Sequence, residues 1–137
     1  MAVAVKDKQA LGKKLKLARE GAILSQRQAA RALEISNAAL SDIENGNNFP
    51  SEALLIKAVE KYNPTKKLKK TIYEMYAKAK DAPPPDISRF IKNNNFLCEL
   101  LRELMEKDIT AEGLEPLRIE IQKLEDKQHE PAEQSEY

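Results

Sequence analysis

The chain has 137 residues, a formal net charge of +1, no tryptophan and only 5% aromatic residues, which suits one small helical domain with an appendage and argues against a β-sandwich. No apolar run approaches the ~20 residues a membrane span requires, the opening MAVAV is too short for a secretory core, and a lone cysteine, Cys98, can staple nothing within the chain, so a reduced, cytoplasmic setting is expected. The near-neutral total hides a division: residues 1–80 hold 16 Lys+Arg against 8 Asp+Glu, and residues 81–137 hold 7 against 14. A basic front half suits a polyanionic partner, and an acidic back half does not.

Residues 1–7 are expected to be loose. The spacing of Leu11, Leu15 and Ala18 predicts a helix over residues 8–20, with Lys13, Lys14 and Lys16 facing water or phosphate and Gly21 at its end. Ser25 can cap a second helix, with Gln28 three residues on as its capping-box partner. Ala29, Ala30 and Leu33 form the inward side of that helix, and Ala30 is small enough for a second backbone to approach. Glu34, Ile35 and Ser36 make a turn, Ser36 caps a third helix with Leu40 and Ile43 inward, and Gly46 is placed for a left-handed stop. Two short helices meeting steeply through a tight turn form a helix-turn-helix, whose second helix enters the DNA major groove. A loop over residues 45–50 leads to a fourth helix capped by Ser51, in which Ala53, Leu54, Ile56, Val59 and Tyr62 can pack. Asn63 and Pro64 break the pattern, and a fifth helix runs from Thr65 to about residue 80 with Leu68, Ile72, Met75 and Tyr76 at helical spacing.

In these residues the chain resembles the Xre/Cro-CI-type family of phage and bacterial repressors. The resemblance runs over residues 11–62 and takes in Leu11-Gly12, Leu15, Ala18-Arg19, Leu24-Ser25-Gln26, Ile35-Ser36, the Ile43-Glu44-Asn45-Gly46 signature, Pro50-Ser51 and Leu54-Leu55. It implies an all-α fold in which residues 1–80 form a five-helix, lambda-repressor-like DNA-binding domain that occupies a palindromic double-stranded operator as a homodimer. It also implies base readout by Asn37, Ala38, Ser41 and Asp42, and phosphate contacts from Gln26, Arg27, Arg31, Ser36, Asn45 and Asn47. An asparagine amide can pair with adenine N6 and N7, an alanine methyl can meet the thymine methyl, and a carboxylate can accept from cytosine N4. Two departures stand out. Glu34 occupies a turn position where family members often carry glycine, which implies backbone strain, and the groove helix has no arginine or lysine.

Residues 81–86, DAPPPD, read as a proline-rich linker, since successive prolines favour an extended spacer. Residues 87–125 read as a helical dimerisation segment: Asp86 caps a short helix carrying Ile87, Phe90 and Ile91, and a longer one follows. Leu97, Leu100, Leu101, Leu104 and Met105 form an i, i+3, i+4, i+7, i+8 stripe on it. A last helix begins between residues 111 and 116 and carries Leu114, Leu117, Ile121 and Leu124, and residues 126–137 read as a disordered tail. A segment of about 40 residues buries too little apolar surface to fold unaided, so its stripes need a partner. Phe90, Leu97, Leu100, Leu101, Leu104 and Met105 are therefore assigned to pairing with a second copy, the alternative being packing against the chain's own first half.

Catalysis is not expected. His129 and Cys98 are the only histidine and cysteine, and no metal-ligand spacing, phosphate loop or nucleophile–base pair appears, so neither metal nor cofactor is expected. Two functions follow: a transcriptional repressor, or an antitoxin or adaptor whose C-terminal helices bind a protein such as a toxin while it regulates its own operon. The segment Pro85-Asp86-Ile87-Ser88-Arg89-Phe90 and the run Leu100-Leu101-Arg102-Glu103-Leu104 are similar to the tail of repressors inactivated by a partner metallopeptidase, which guard mobile elements, stress responses and defence operons. That similarity implies release from DNA by cleavage between residues 95 and 110.

Overall fold

The protein, seen in a computed structural model, is described over residues 2–134. Among these residues the chain is helical, with eight α-helices, one short 3-10 turn and no strand. Helices α1 (Val5–Gly21), α2 (Gln26–Leu33), α3 (Asn37–Glu44), α4 (Glu52–Tyr62), α5 (Lys66–Lys80) and α6 (Pro85–Lys92) belong to one compact unit, Met1–Asn93. Helices α7 (Asn95–Glu106) and α8 (Glu115–Gln134), with the 3-10 turn Glu112–Leu114 before the latter, belong to a second, Asn94–Tyr137.

Local chemistry accounts for most helix ends in the first unit. Ser25 closes a full capping box with Gln28: the Ser25 hydroxyl accepts from the Gln28 amide at 3.1 Å and the Gln28 side chain accepts from the Ser25 amide at 2.8 Å. Ser36, Ser51 and Thr65 cap α3, α4 and α5 in the same way, at 3.0, 3.2 and 3.2 Å. At the other ends, Glu34, Asn63 and Asp81 terminate α2, α4 and α5 in the left-handed conformation. Asn and Asp visit that region readily, whereas Glu does not. Ile23, after α1, is left-handed as well (φ 58) and 90% exposed, so a β-branched side chain holds a strained backbone there without packing against anything.

The core lies where α1, α2, α3, α4 and α5 converge. Leu11, Leu15, Ala18, Ala29, Ala30, Leu33, Leu40 and Ile43 are buried, as the spacing predicted, and Leu11, Leu55 and Ile72 are shut off from solvent completely. Two close approaches require glycine. A Cβ on Gly12 would collide with the Ile43 carbonyl oxygen and lie 2.7 Å from that of Glu44, and Gly46, at φ +80, sits against the backbone of Gln9. Helix α1 therefore crosses the C-terminal end of α3 at backbone contact.

The structure corrects several expectations. Helix α1 starts at Val5, inside the stretch expected to be loose, because nothing there breaks a helix and Asp7 in the first turn suits its N-terminal dipole. In α4 the buried line is Leu55, Ala58, Val59 and Tyr62, while Ala53 is exposed and Leu54 and Ile56 only half-buried. The expected set spanned too wide an arc for one face. In α5, Tyr73 and Ala77 join Ile72 and Tyr76, with Leu68 and Met75 at the margin.

The prolines do not separate the units. Pro84 caps α6, Pro85 is its first residue and is fully buried, and α6 packs on α4 and α5. Proline fits a first helical turn, whose amides have no partners within the helix. Arg89 on α6 also reaches Glu60 on α4 at 3.3 Å. The division falls after Asn93 instead, so Phe90 lies in the first unit rather than with the α7 stripe. In the second unit, α8 continues to Gln134, past the residue-126 limit expected for it. Strong helix formers such as Glu, Lys and Gln carry it on. The side chain of His129 and residues 135–137 of the expected tail lie outside the described residues. No helix among the described residues is long and apolar enough to cross a membrane.

One buried polar atom, the Tyr62 hydroxyl, has no hydrogen-bond partner. Burial, reinforced by Glu44 and opposed by Arg19, pushes this phenol up to about 12 from 10.0. Between those values the unfolded chain ionises and the folded one does not, so stability falls as pH rises through that window. Tyr62→Phe should raise stability near pH 7 by about 1 kcal/mol, by removing an unsatisfied hydroxyl, and should reduce the alkaline loss. Urea unfolding at neutral pH and through pH 10–12 measures both effects.

Candidate nucleic-acid interface

The centre of the first unit is a buried ion pair. Arg19 and Glu44, only 7% and 5% exposed, lie on the inward faces of α1 and α3. Arg19 Nε and Nη2 donate to the two carboxylate oxygens of Glu44 at 2.6 and 3.0 Å, and Nη1 donates to the Leu24 carbonyl at 2.8 Å. This fork geometry is the one in which Arg binds a carboxylate most strongly. The hydrogen bond to Glu44 raises the Arg19 pKa above 12.5 despite burial. Gln26 Nε2 donates to the same Glu44 Oε1 at 3.2 Å. One carboxylate thus ties together α1, the loop before α2, the first residue of α2 and the last residue of α3.

That arrangement orients the outer face of α3. Asn37 and Ala38 in its first turn are exposed, Ser41 and Asp42 are half-buried, and Leu40, Ile43 and Glu44 point inward. Asn45 Nδ2 donates to the Ser41 hydroxyl at 3.2 Å, bracing the C-terminal end. The Asp42 carbonyl accepts from the Asn47 amide at 2.8 Å and the Asn48 amide at 3.2 Å, which folds the following loop back against the helix. Ser36 is occupied as the α3 cap but keeps its hydroxyl proton for donation. Arg27, Arg31 and Asn47 are exposed. The turn between α2 and α3 is held from outside: Lys57 on α4 donates to Glu34 Oε2 at 2.8 Å and approaches the Leu33 carbonyl at 3.4 Å. The hydrogen bond from Lys57 lowers the Glu34 carboxyl below its usual value.

The residues assigned to DNA from sequence therefore fall on or beside one outward face: Asn37, Ala38, Ser41 and Asp42 on α3, Gln26 and Ser36 at helix starts, and Asn45 and Asn47 at the α3 exit. The Arg19–Glu44 pairing was not legible locally, since the partners are 25 residues apart. Its signal is a charge in the apolar register of each helix, Arg19 beside Ala18 and Glu44 beside Ile43. The Lys57–Glu34 link and the stacking of Phe49 on Tyr76 at 5.0 Å had no such signal.

Residues 10–65 match a family model described as a helix-turn-helix domain. This segment is a helix-turn-helix domain. Its boundaries enclose α2, α3 and the Arg19–Glu44 pair that orients them. Helix-turn-helix domains bind DNA by laying the second helix of the pair, here α3, in the major groove. No curated protein matches the chain. Among the described residues no group of His, Cys, Asp or Glu is arranged to hold a metal ion.

Removing the shared carboxylate would leave the Arg19 guanidinium buried and free Gln26. Glu44→Ala should destabilise the first unit by about 3–5 kcal/mol, the usual result of breaking a buried pair from one side. Chemical denaturation of this variant beside the parent measures the difference.

Proposed function

We propose that the protein is a sequence-specific transcriptional repressor that occupies a palindromic operator as a homodimer. The observation that carries this reading is the outer face of α3, where a short polar side chain, a methyl and a hydroxyl at Asn37, Ala38 and Ser41 stand clear of the protein while the ion pair behind them fixes the helix. Asn37 reads an adenine edge, Ala38 meets a thymine methyl, and Ser41 and Asp42 add polar contacts. Gln26, Arg27, Arg31, Ser36, Asn45 and Asn47 position the backbone. One helix with so few long side chains discriminates weakly, and two half-sites about one helical turn apart supply the remainder.

Support for pairing comes from the second unit. Among its described residues none is buried, and Phe96, Met105, Ile119, Ile121 and Leu124 are more than half exposed. Leu97, Leu101 and Leu104 are half-buried and Leu100 is exposed, so the α7 stripe remains open to a second copy. Covering several such side chains at roughly 1.5–3 kcal/mol each outweighs ordinary association costs. Phe90, 61% exposed on α6, extends the apolar surface from the first unit. A toxin or other protein seated on the same stripe, as an antitoxin would use it, is the competing occupant.

Two outcomes test the reading. With an operator selected from random duplexes, Asn37→Ala should weaken binding by about 1–3 kcal/mol and relax one base position; an equal loss on every sequence would make Asn37 a positioning residue. Deleting residues 94–137 should yield a monomer by analytical ultracentrifugation, with weakened operator binding. A truncated protein that still protects the full site as a dimer would remove the second unit from the mechanism.

A further inference from the structure

Helix α1 carries a basic line that the helix-turn-helix pair does not explain. Lys6, Gln9, Lys13 and Lys16 recur along one side of this helix, adjacent to the Gly12 face that meets α3. The Gly12 and Gly46 contacts press that side directly against the end of α3. Gln9, Lys13 and Lys16 line a cleft with Glu44 and Asn45, the residues at the α3 exit. Arg19 already neutralises Glu44, so the charge presented by this cleft is that of the two lysines. Lys6 extends the line toward the N-terminal end in a shallow concavity shared with Lys13 and Lys16. Glu20, the acidic residue in that concavity, stands at its opposite end. Among the described residues, the ion pairs of the first unit engage Arg19, Lys57 and Arg89, and none of the α1 lysines. Three cations are thus left to solvent beside the helix that faces DNA.

We infer that α1 is a second DNA-contacting element, whose Lys6, Lys13 and Lys16 grip the phosphate backbone beside the groove that α3 enters. The ten residues from Lys6 to Lys16 cover about 15 Å of helix axis, long enough to follow several phosphates of one strand. This line supplies affinity without reading bases, and so offsets the absence of arginine and lysine from α3. The other lysine cluster of this unit, Lys66, Lys67, Lys69 and Lys70, occupies the start of α5. The end of α5 lies at the exit loop of α3, where Lys80 sits over the Phe49 ring at 5.6 Å. The cluster is about 15–20 Å along the helix from that point, and it makes an internal control.

The inference rests on the DNA-binding reading, and the experiment separates the two. Binding of the full-length protein to a labelled random-sequence duplex is followed by fluorescence anisotropy over a series of NaCl concentrations. The variant K6Q/K13Q/K16Q keeps helix propensity and removes three cations. Its plot of log affinity against log salt should be shallower than the parent's by about 2–3, near 0.9 for each phosphate no longer neutralised. K66Q/K67Q/K69Q/K70Q should retain the parent slope, and both variants should retain the parent's helical circular dichroism. A parent slope in the α1 variant overturns the inference while leaving the DNA-binding reading intact. Equal losses in the two variants also overturn it, because they would show a diffuse field in place of a line. No binding of the parent at low salt removes the DNA-binding reading, and this inference with it.

Discussion

The first unit depends on a guanidinium and a carboxylate held almost without water. Removing either charge from solvent is costly, and the pair is tolerable only because every strong donor has an acceptor: Arg19 uses three nitrogens, two on Glu44 and one on the Leu24 carbonyl. Such a pair does less for total stability than for geometry. A hydrophobic replacement could slide along its neighbours, whereas a bidentate fork has one register. The angle between α1 and α3, and the seating of Gln26 at the start of α2, follow from that register. Small residues at Gly12, Ala29 and Ala30 then let the backbones close around it.

Strain is concentrated at the turns. The αL position at Glu34 sits between α2 and α3, where the helix-turn-helix bends most sharply, and the long side chain that makes the conformation unfavourable also reaches Lys57. A glycine would relieve the backbone and remove the tether. Ile23 has no such compensation, and nothing in the structure explains the choice of isoleucine there.

Much of this architecture was legible in the sequence because it is written locally. Hydroxyl residues ahead of apolar periods marked the starts of α2, α3 and α4, and Leu11, Leu15, Leu33, Leu40 and Ile43 gave the inward faces. Readings that depended on distant partners were weaker. Pro83-Pro84-Pro85 looked like a spacer because proline rules describe the chain in isolation, while the burial of Pro85 is decided by α4 and α5. The face of α4 was misjudged for the same reason: Leu55 is inside because of what surrounds it, and its own neighbours in sequence are equally apolar. The DNA-facing candidates were identifiable by type and position, but the brace behind them, Arg19 with Glu44, joins two segments that no local period connects.

Because α6 is packed into the first unit, the polypeptide leaves that unit from a fixed direction, at the end of a docked helix, and the three asparagines 93–95 mark the seam. A boundary of this kind is modular. Whatever follows Asn93 can be exchanged without touching the core, so one groove-binding head can be coupled to assorted effector segments by recombination at a single point, and the acidic helices seen here are one such attachment.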